Sequence, residues 1–169
     1  MSAKLVGLHP LVAELATKLV TTAAERGWKI MLTQGFRSFE EQERLYAKGR
    51  TAPGEPCRHA TEPRIRLVGE CPQHPFGATV TKARGGKSWH ELGRAVDVCF
   101  IDEAGRPSWA ERWPWNELGV LGESLGLTWG YRAWGFDRPH FHLTMGQTLS
   151  EAKAEYEASH PRGRTPGVA

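Results

Sequence analysis

One carboxylate constrains this chain more than any other residue. Asp97 sits inside the run Arg94 to Ile101 (RAVDVCFI), whose β-branched and apolar residues read as a strand. Burying a carboxylate costs on the order of several kcal/mol unless it is paired or coordinates a metal. The fold must therefore pair Asp97, give it to a cation, or set it on the wet face of an edge strand. Alternation puts Ala95, Asp97 and Cys99 on one face against Val96, Val98 and Phe100 on the other, which keeps the last option open. His90 lies shortly before, and Gly93 lets the intervening chain fold back. Both side chains can then reach one ion, because Zn²⁺ accepts imidazole nitrogen and carboxylate oxygen at about 2 Å.

A second cluster follows at Asp137-Arg138-Pro139-His140-Phe141-His142. In a strand His140 and His142 share a face, so either one, or both, can serve as a further ligand. A catalytic zinc needs three protein ligands and an open fourth position for water. His90, Asp97 and one of these histidines supply the three. Asp137 is placed to act as the general base that takes a proton from that water and returns it to the leaving amine.

Three segments resemble a known family. They are Gly35-Phe36-Arg37-Ser38 with Gln42 following, Ser88-x-His90-x-x-Gly93-x-Ala95-x-Asp97, and Trp134-Gly135 leading into Asp137-x-Pro139-His140-Phe141. In this order they resemble the zinc D-Ala-D-Ala carboxypeptidases and L-alanyl-D-glutamate endopeptidases (peptidase family M15), which include many phage endolysins. The resemblance implies a hedgehog/D-Ala-D-Ala-peptidase-like fold, with His90, Asp97 and His140 as zinc ligands and Asp137 as catalytic base. It implies that Arg37 stabilises charge at the scissile carbonyl or grips a substrate carboxylate. Ser88, Gln42 and Trp134 fall at substrate-binding positions. Endopeptidase members commonly carry Glu where this chain has His142. That leaves His142 as a partner of the ligands, a substrate contact or a fourth ligand, and a fourth ligand would close the site.

A second departure is an inserted loop at about 55–77. It carries Cys57-x-His59 and Cys71-x-x-His74. Two Cys and two His suit a second, structural zinc site. Cys57 and Cys71 would instead form a disulfide in an oxidising setting, and two free thiols are the third option. Three cysteines, an odd number, argue against a disulfide framework, and Cys99 reads as a buried core thiol.

The rest of the chain frames these clusters. Helices are expected from His9-Pro10 to Gly27, over 39–48 behind a Ser38/Glu41 capping box, over 113–125, and over 149–158 capped by Thr148 or Ser150. Strands are expected at 28–33, 94–101, 127–131 and 140–144, and 50–88 reads as irregular, rich in Pro and Gly. This describes an α+β domain with a small, mainly antiparallel sheet and packed helices. Residues 1–160 read as one peptidase domain with the inserted loop, and 161–169 as a flexible tail.

The net charge of +3 names no partner. Residues 48–87 hold eight Lys/Arg against three Glu, which suits an anionic polymer such as cell wall and equally a solvated loop. No recognition helix or stacking motif points to nucleic acid. Seven tryptophans supply core packing or line a groove for sugar or peptide. The amphipathic N-terminus reads as a helix, with no signal peptide and no membrane span. The expectation is therefore a monomeric zinc metallopeptidase, made in the cytoplasm and released by a holin to act on peptidoglycan stem peptides. An L-Ala-D-Glu endopeptidase acting as a phage endolysin is the leading reading. The alternatives are a D-Ala-D-Ala carboxypeptidase and a non-catalytic, zinc-stabilised cell-wall-binding module.

Overall fold

The computed structural model describes residues 3–55 and 74–160. In chain order the elements are α1 (Pro10–Glu25), β1 (Ile30–Gln34), α2 (Phe39–Ala47), a 3₁₀ turn (Trp89–Leu92), β2 (Ala95–Ile101), β3 (Pro107–Ser108), α3 (Trp115–Ser124), β4 (Thr128–Trp129), α4 (Gly130–Trp134), β5 (His140–His142) and α5 (Leu149–Ser159), after a short 3₁₀ turn at Ala3–Leu5. The chain divides into two compact units, one of residues 1–37 and 92–169 and the other of 38–91. The α+β class with an antiparallel sheet is as the sequence leads one to expect.

The first unit is built on a sheet of order β1-β2-β5-β4, with β3 pairing the far end of β2. All its pairings are antiparallel. One face is the core. Val96, Val98 and Phe100 of β2, Ile30 and Leu32 of β1, and Phe141 of β5 pack with Val12, Leu15, Ala16 and Leu19 of α1 and with Trp115, Leu118 and Leu121 of α3. The alternation read from RAVDVCFI is thus the alternation of the sheet. Cys99, on the opposite face, is fully buried, and that burial pushes its thiol pKa up.

Two boundaries depart from expectation for identifiable reasons. The strand anticipated over 127–131 stops at Trp129, which pairs with Phe141. The antiparallel partner of Tyr131 would be Pro139, which has no N–H to give a ladder. The chain turns instead into α4. A side chain on Gly130 would sit 2.9 Å from the Asp137 carbonyl and 3.0 Å from His140 Cβ, so only glycine admits this turn. The helix expected from Trp113 begins at Trp115, because Pro114 disfavours helical backbone in the residue before it. The Ser38 cap forms with its Oγ accepting from Glu41 N–H, and a complete capping box forms at Thr148 and Glu151.

The second unit is organised by polar contacts to α2. Gln42 is fully buried, and its Nε2 donates to the Ala83 carbonyl at 2.6 Å. Glu43 accepts from Arg84 Nη2 and from Gly85 N–H, each at 2.9 Å. Arg50 lies over the Tyr46 ring at 3.9 Å. Cys57, His59 and Cys71, and most of the inserted loop, lie outside the described residues. His74, also named for a second metal, is exposed. Among the described residues no helix is long and apolar enough to cross a membrane.

Two tests follow from this packing. A Cβ on Gly122 of α3 would stand 2.4 Å from the Phe141 ring. Gly122→Val should therefore destabilise the protein by about 1–3 kcal/mol, read from the urea midpoint; an unchanged midpoint would refute this packing. The Gly85 N–H first, and then Arg84, hold the Glu43 carboxyl below its ordinary 4.5. A lowered carboxyl pKa stabilises the fold above the ordinary value and loses that stability as pH falls through the folded value. Acid titration of Glu43→Gln should show a shallower loss of stability below about pH 4.5 than wild type.

Candidate metal centre

Asp97 lies on β2, between β1 on one side and β5 on the other, so it is not on an edge strand. Its side chain is 24% exposed. The register sets it directly opposite His140. His140 Nδ1 and Asp97 Oδ1 are 3.0 Å apart, with the imidazole almost fully buried. Two atoms that share a tetrahedral zinc with bonds of about 2.0–2.1 Å stand roughly 3.3 Å apart, so this pair needs almost no movement to bind one ion.

The second Asp97 oxygen faces Arg37, whose Nη2 is 4.0 Å from Oδ2. The guanidinium side chain is 11% exposed. The β1–β2 register is irregular between Leu32 and Gln34, opposite Val98 and Asp97. Such bulges bend a strand and re-aim the residues that follow, here the segment leading to Arg37.

His90 sits in the 3₁₀ turn, buried, with its backbone N–H 3.4 Å from Ser88 Oγ. One ligand atom each from His90, Asp97 and His140 lies within 4.8 Å of the others, and among the described residues no other three His, Cys, Asp or Glu side chains do so. Two imidazoles and a carboxylate suit a borderline divalent cation such as zinc, and three protein ligands leave a position open for water.

His142 shares the face of His140 but is not in that group. It packs flat against the Trp134 indole, with ring centroids 5.2 Å apart and planes 2° from parallel. The same indole meets His140 at 5.1 Å. Trp134 is itself 42% exposed and covers both imidazoles. Asp137 is exposed and holds left-handed backbone at φ 69°, while its carbonyl accepts from His140 N–H. Asp tolerates this region better than most residues, at a modest energetic cost.

The sequence-derived residues thus fall into two sets. His90, Asp97, His140 and Arg37 converge, with Trp134 over the histidines and Asp137 at the head of β5. Gln42 is sealed inside the second unit, where its amide holds the chain at Ala83. Sequence reasoning passed over Glu91, which is 1% exposed next to His90. A carboxylate in a turn that also carries Trp89 and Leu92 is the same kind of signal that marked Asp97.

A model of the D-alanyl-D-alanine carboxypeptidase family, VanY, matches residues 6–139. The chain belongs to this family. As a member it is a peptidase. The match ends one residue before His140. The peptidoglycan L-alanyl-D-glutamate endopeptidase CwlK of Bacillus subtilis (strain 168) is 32% identical over 146 residues, covering 82% of this chain and 73% of CwlK. Two solved structures share the fold. An L,D-carboxypeptidase DacB from Streptococcus pneumoniae aligns with TM-score 0.53 and 21% identity over 94% of this chain and 79% of its own. A mutant of the vancomycin-resistance D,D-pentapeptidase VanY from a VanB-type cassette, in complex with Zn(II), aligns with TM-score 0.51 and 16% identity over 89% and 78%.

Trp134→Ala should lower the stability of the chelator-treated protein by about 1 kcal/mol through loss of the stack on His142 and the tilted contact with His140. Equal urea midpoints for variant and wild type would show that the ring merely rests there.

Proposed function

We propose that this chain is a zinc peptidase that cuts peptidoglycan stem peptides at the L-Ala–D-Glu bond. The observation that carries the reading is the convergence of His90, Asp97 and His140. The 32% identity to an enzyme named for that bond supports the choice of substrate. His90, Asp97 and His140 would hold one zinc. When bound there, zinc supplies Lewis acidity toward a peptide carbonyl and lowers the pKa of water.

The chain's own residues do the rest. Asp137 takes the proton of the attacking water as the new C–O bond forms. It returns that proton to the amine as the C–N bond breaks, leaving a carboxylate and a free amine. Arg37 is always charged and donates in a fixed fork, so it suits the charge that develops on the carbonyl oxygen or a carboxylate of the substrate. Its ion pair with Asp97 keeps the guanidinium aimed before substrate arrives. Ser88 and the exposed ring of Trp134 contact the peptide. Gln42 acts from inside, by holding the segment that ends in Ser88. Residues 1–160 work together as one peptidase domain.

A second reading is favoured by the family model itself, whose description is a D-alanyl-D-alanine carboxypeptidase. Mass spectrometry of digested muropeptides separates the two. Endopeptidase action yields a new D-Glu amine, whereas carboxypeptidase action removes one terminal D-Ala. The resemblance to phage endolysins supports a role in host lysis. Cells expressing the chain should lyse only after the inner membrane is permeabilised.

Asp137→Ala should bind zinc like wild type yet lose about 10²–10⁴-fold in rate on purified peptidoglycan. Near wild-type turnover would remove Asp137 from the mechanism. Zinc content should fall from one equivalent toward zero in His90→Ala, and an unchanged content would overturn the ligand set.

A further inference from the structure

Glu91 is the most deeply buried carboxylate among the described residues, 1% exposed, and the mechanism above makes no use of it. Its two oxygens are directed into the chain that precedes it. Oε1 accepts from Gly86 N–H at 2.7 Å and Oε2 from Ser88 N–H at 2.9 Å. The Glu91 N–H donates to the Ser88 carbonyl at 3.3 Å, so residues 86–91 form a closed polar ring of backbone and carboxylate. Hydrogen bonds from backbone N–H to an ionised oxygen are about twice as strong as neutral ones.

The other side of the same loop is held in the same way. Gly85 N–H donates to Glu43, and the Lys87 N–H donates to the Arg84 carbonyl at 3.1 Å. Two carboxylates, one on α2 and one on the 3₁₀ turn, thus fix residues 84–88. Ser88 ends this segment, and His90 follows two residues later in the 3₁₀ turn. Glu91 is not among the side chains whose ligand atoms converge with His90.

We propose that Glu91 is a positioning residue for the metal site: its carboxylate clamps the Gly86 and Ser88 amides and so sets His90 and the Ser88 hydroxyl. The proposal rests on the reading of His90 as a ligand. Groups that orient metal ligands change affinity 10–100-fold when removed. Glutamine is the informative substitution. It keeps the volume, but its amide presents an oxygen to only one of the two N–H groups and turns a donor toward the other.

Zinc affinity, measured by chelator competition, should fall 10–100-fold in Glu91→Gln, and the visible spectrum of the Co(II)-loaded variant should differ from wild type. Thr148→Ala, which breaks the capping box of α5, controls for general loss of stability and should leave zinc affinity unchanged. Zinc affinity within twofold of wild type and an identical Co(II) spectrum in Glu91→Gln would overturn the proposal. A fall of equal size in Thr148→Ala would do the same. Should the variant not fold, amide hydrogen exchange in the wild-type protein decides. Slow exchange at Gly86 and Ser88 supports the clamp, and exchange at the rate of an open loop overturns it. Failure of the metal reading itself is distinguishable, because it would appear as wild-type zinc binding insensitive to His90→Ala.

Discussion

The pairing of Asp97 with His140 across two central strands is the constraint around which the first unit is arranged. A carboxylate on an interior strand needs a partner within reach, and the register supplies one directly opposite. Register is not adjustable by small amounts. A slip of one residue would turn every side chain of β5 to the other face. It would drive His140 into the core and remove Phe141 from its place against Gly122 of α3. Core packing and site geometry are therefore one requirement. Phe141, between the two histidines, is what keeps both imidazoles on the face of Asp97.

The groups expected to do chemistry come from places of differing rigidity. Asp97 and His140 are on strands, with their backbone bonds in the ladder. His90, Arg37 and Asp137 come from a 3₁₀ turn, the stretch after a bulged strand and a left-handed residue. Irregular backbone can aim a side chain where a strand cannot, but it must be tied down by something other than a ladder. In the second unit those ties are polar: Gln42 to Ala83, Glu43 to Gly85, Glu91 to Gly86 and Ser88. A long segment without much sheet or helix can be ordered this way when each backbone donor meets a buried or charged acceptor.

Local signals made much of this legible. The alternation in RAVDVCFI showed which face of β2 enters the core, and Ser38 and Thr148 announced their helices. What stayed hidden depends on distant partners. Alternation cannot choose between His140 and His142, because both share a face; only the register shows that His140 stands opposite Asp97. The strand expected over 127–131 ends at Trp129 because the limiting residue, Pro139, belongs to the chain it would pair with. The contact of Trp134 with the two imidazoles has no local pattern at all, since it depends on how α4 returns over β5.

Two buried or half-buried acidic residues near His90 in sequence show how environment assigns different tasks to the same chemistry. Both carboxylates are largely withdrawn from water, and both would be costly if left alone. Glu91 accepts one backbone N–H of its own loop at each oxygen, which offsets that cost locally. Asp97 meets an imidazole and a guanidinium instead. A neutral imidazole has a lone-pair nitrogen that can itself bind a metal beside that oxygen, which a backbone N–H has not. The carboxylate opposite an imidazole is thus the one placed to meet a cation, and the carboxylate bonded to two backbone N–H groups is the one placed to order its loop.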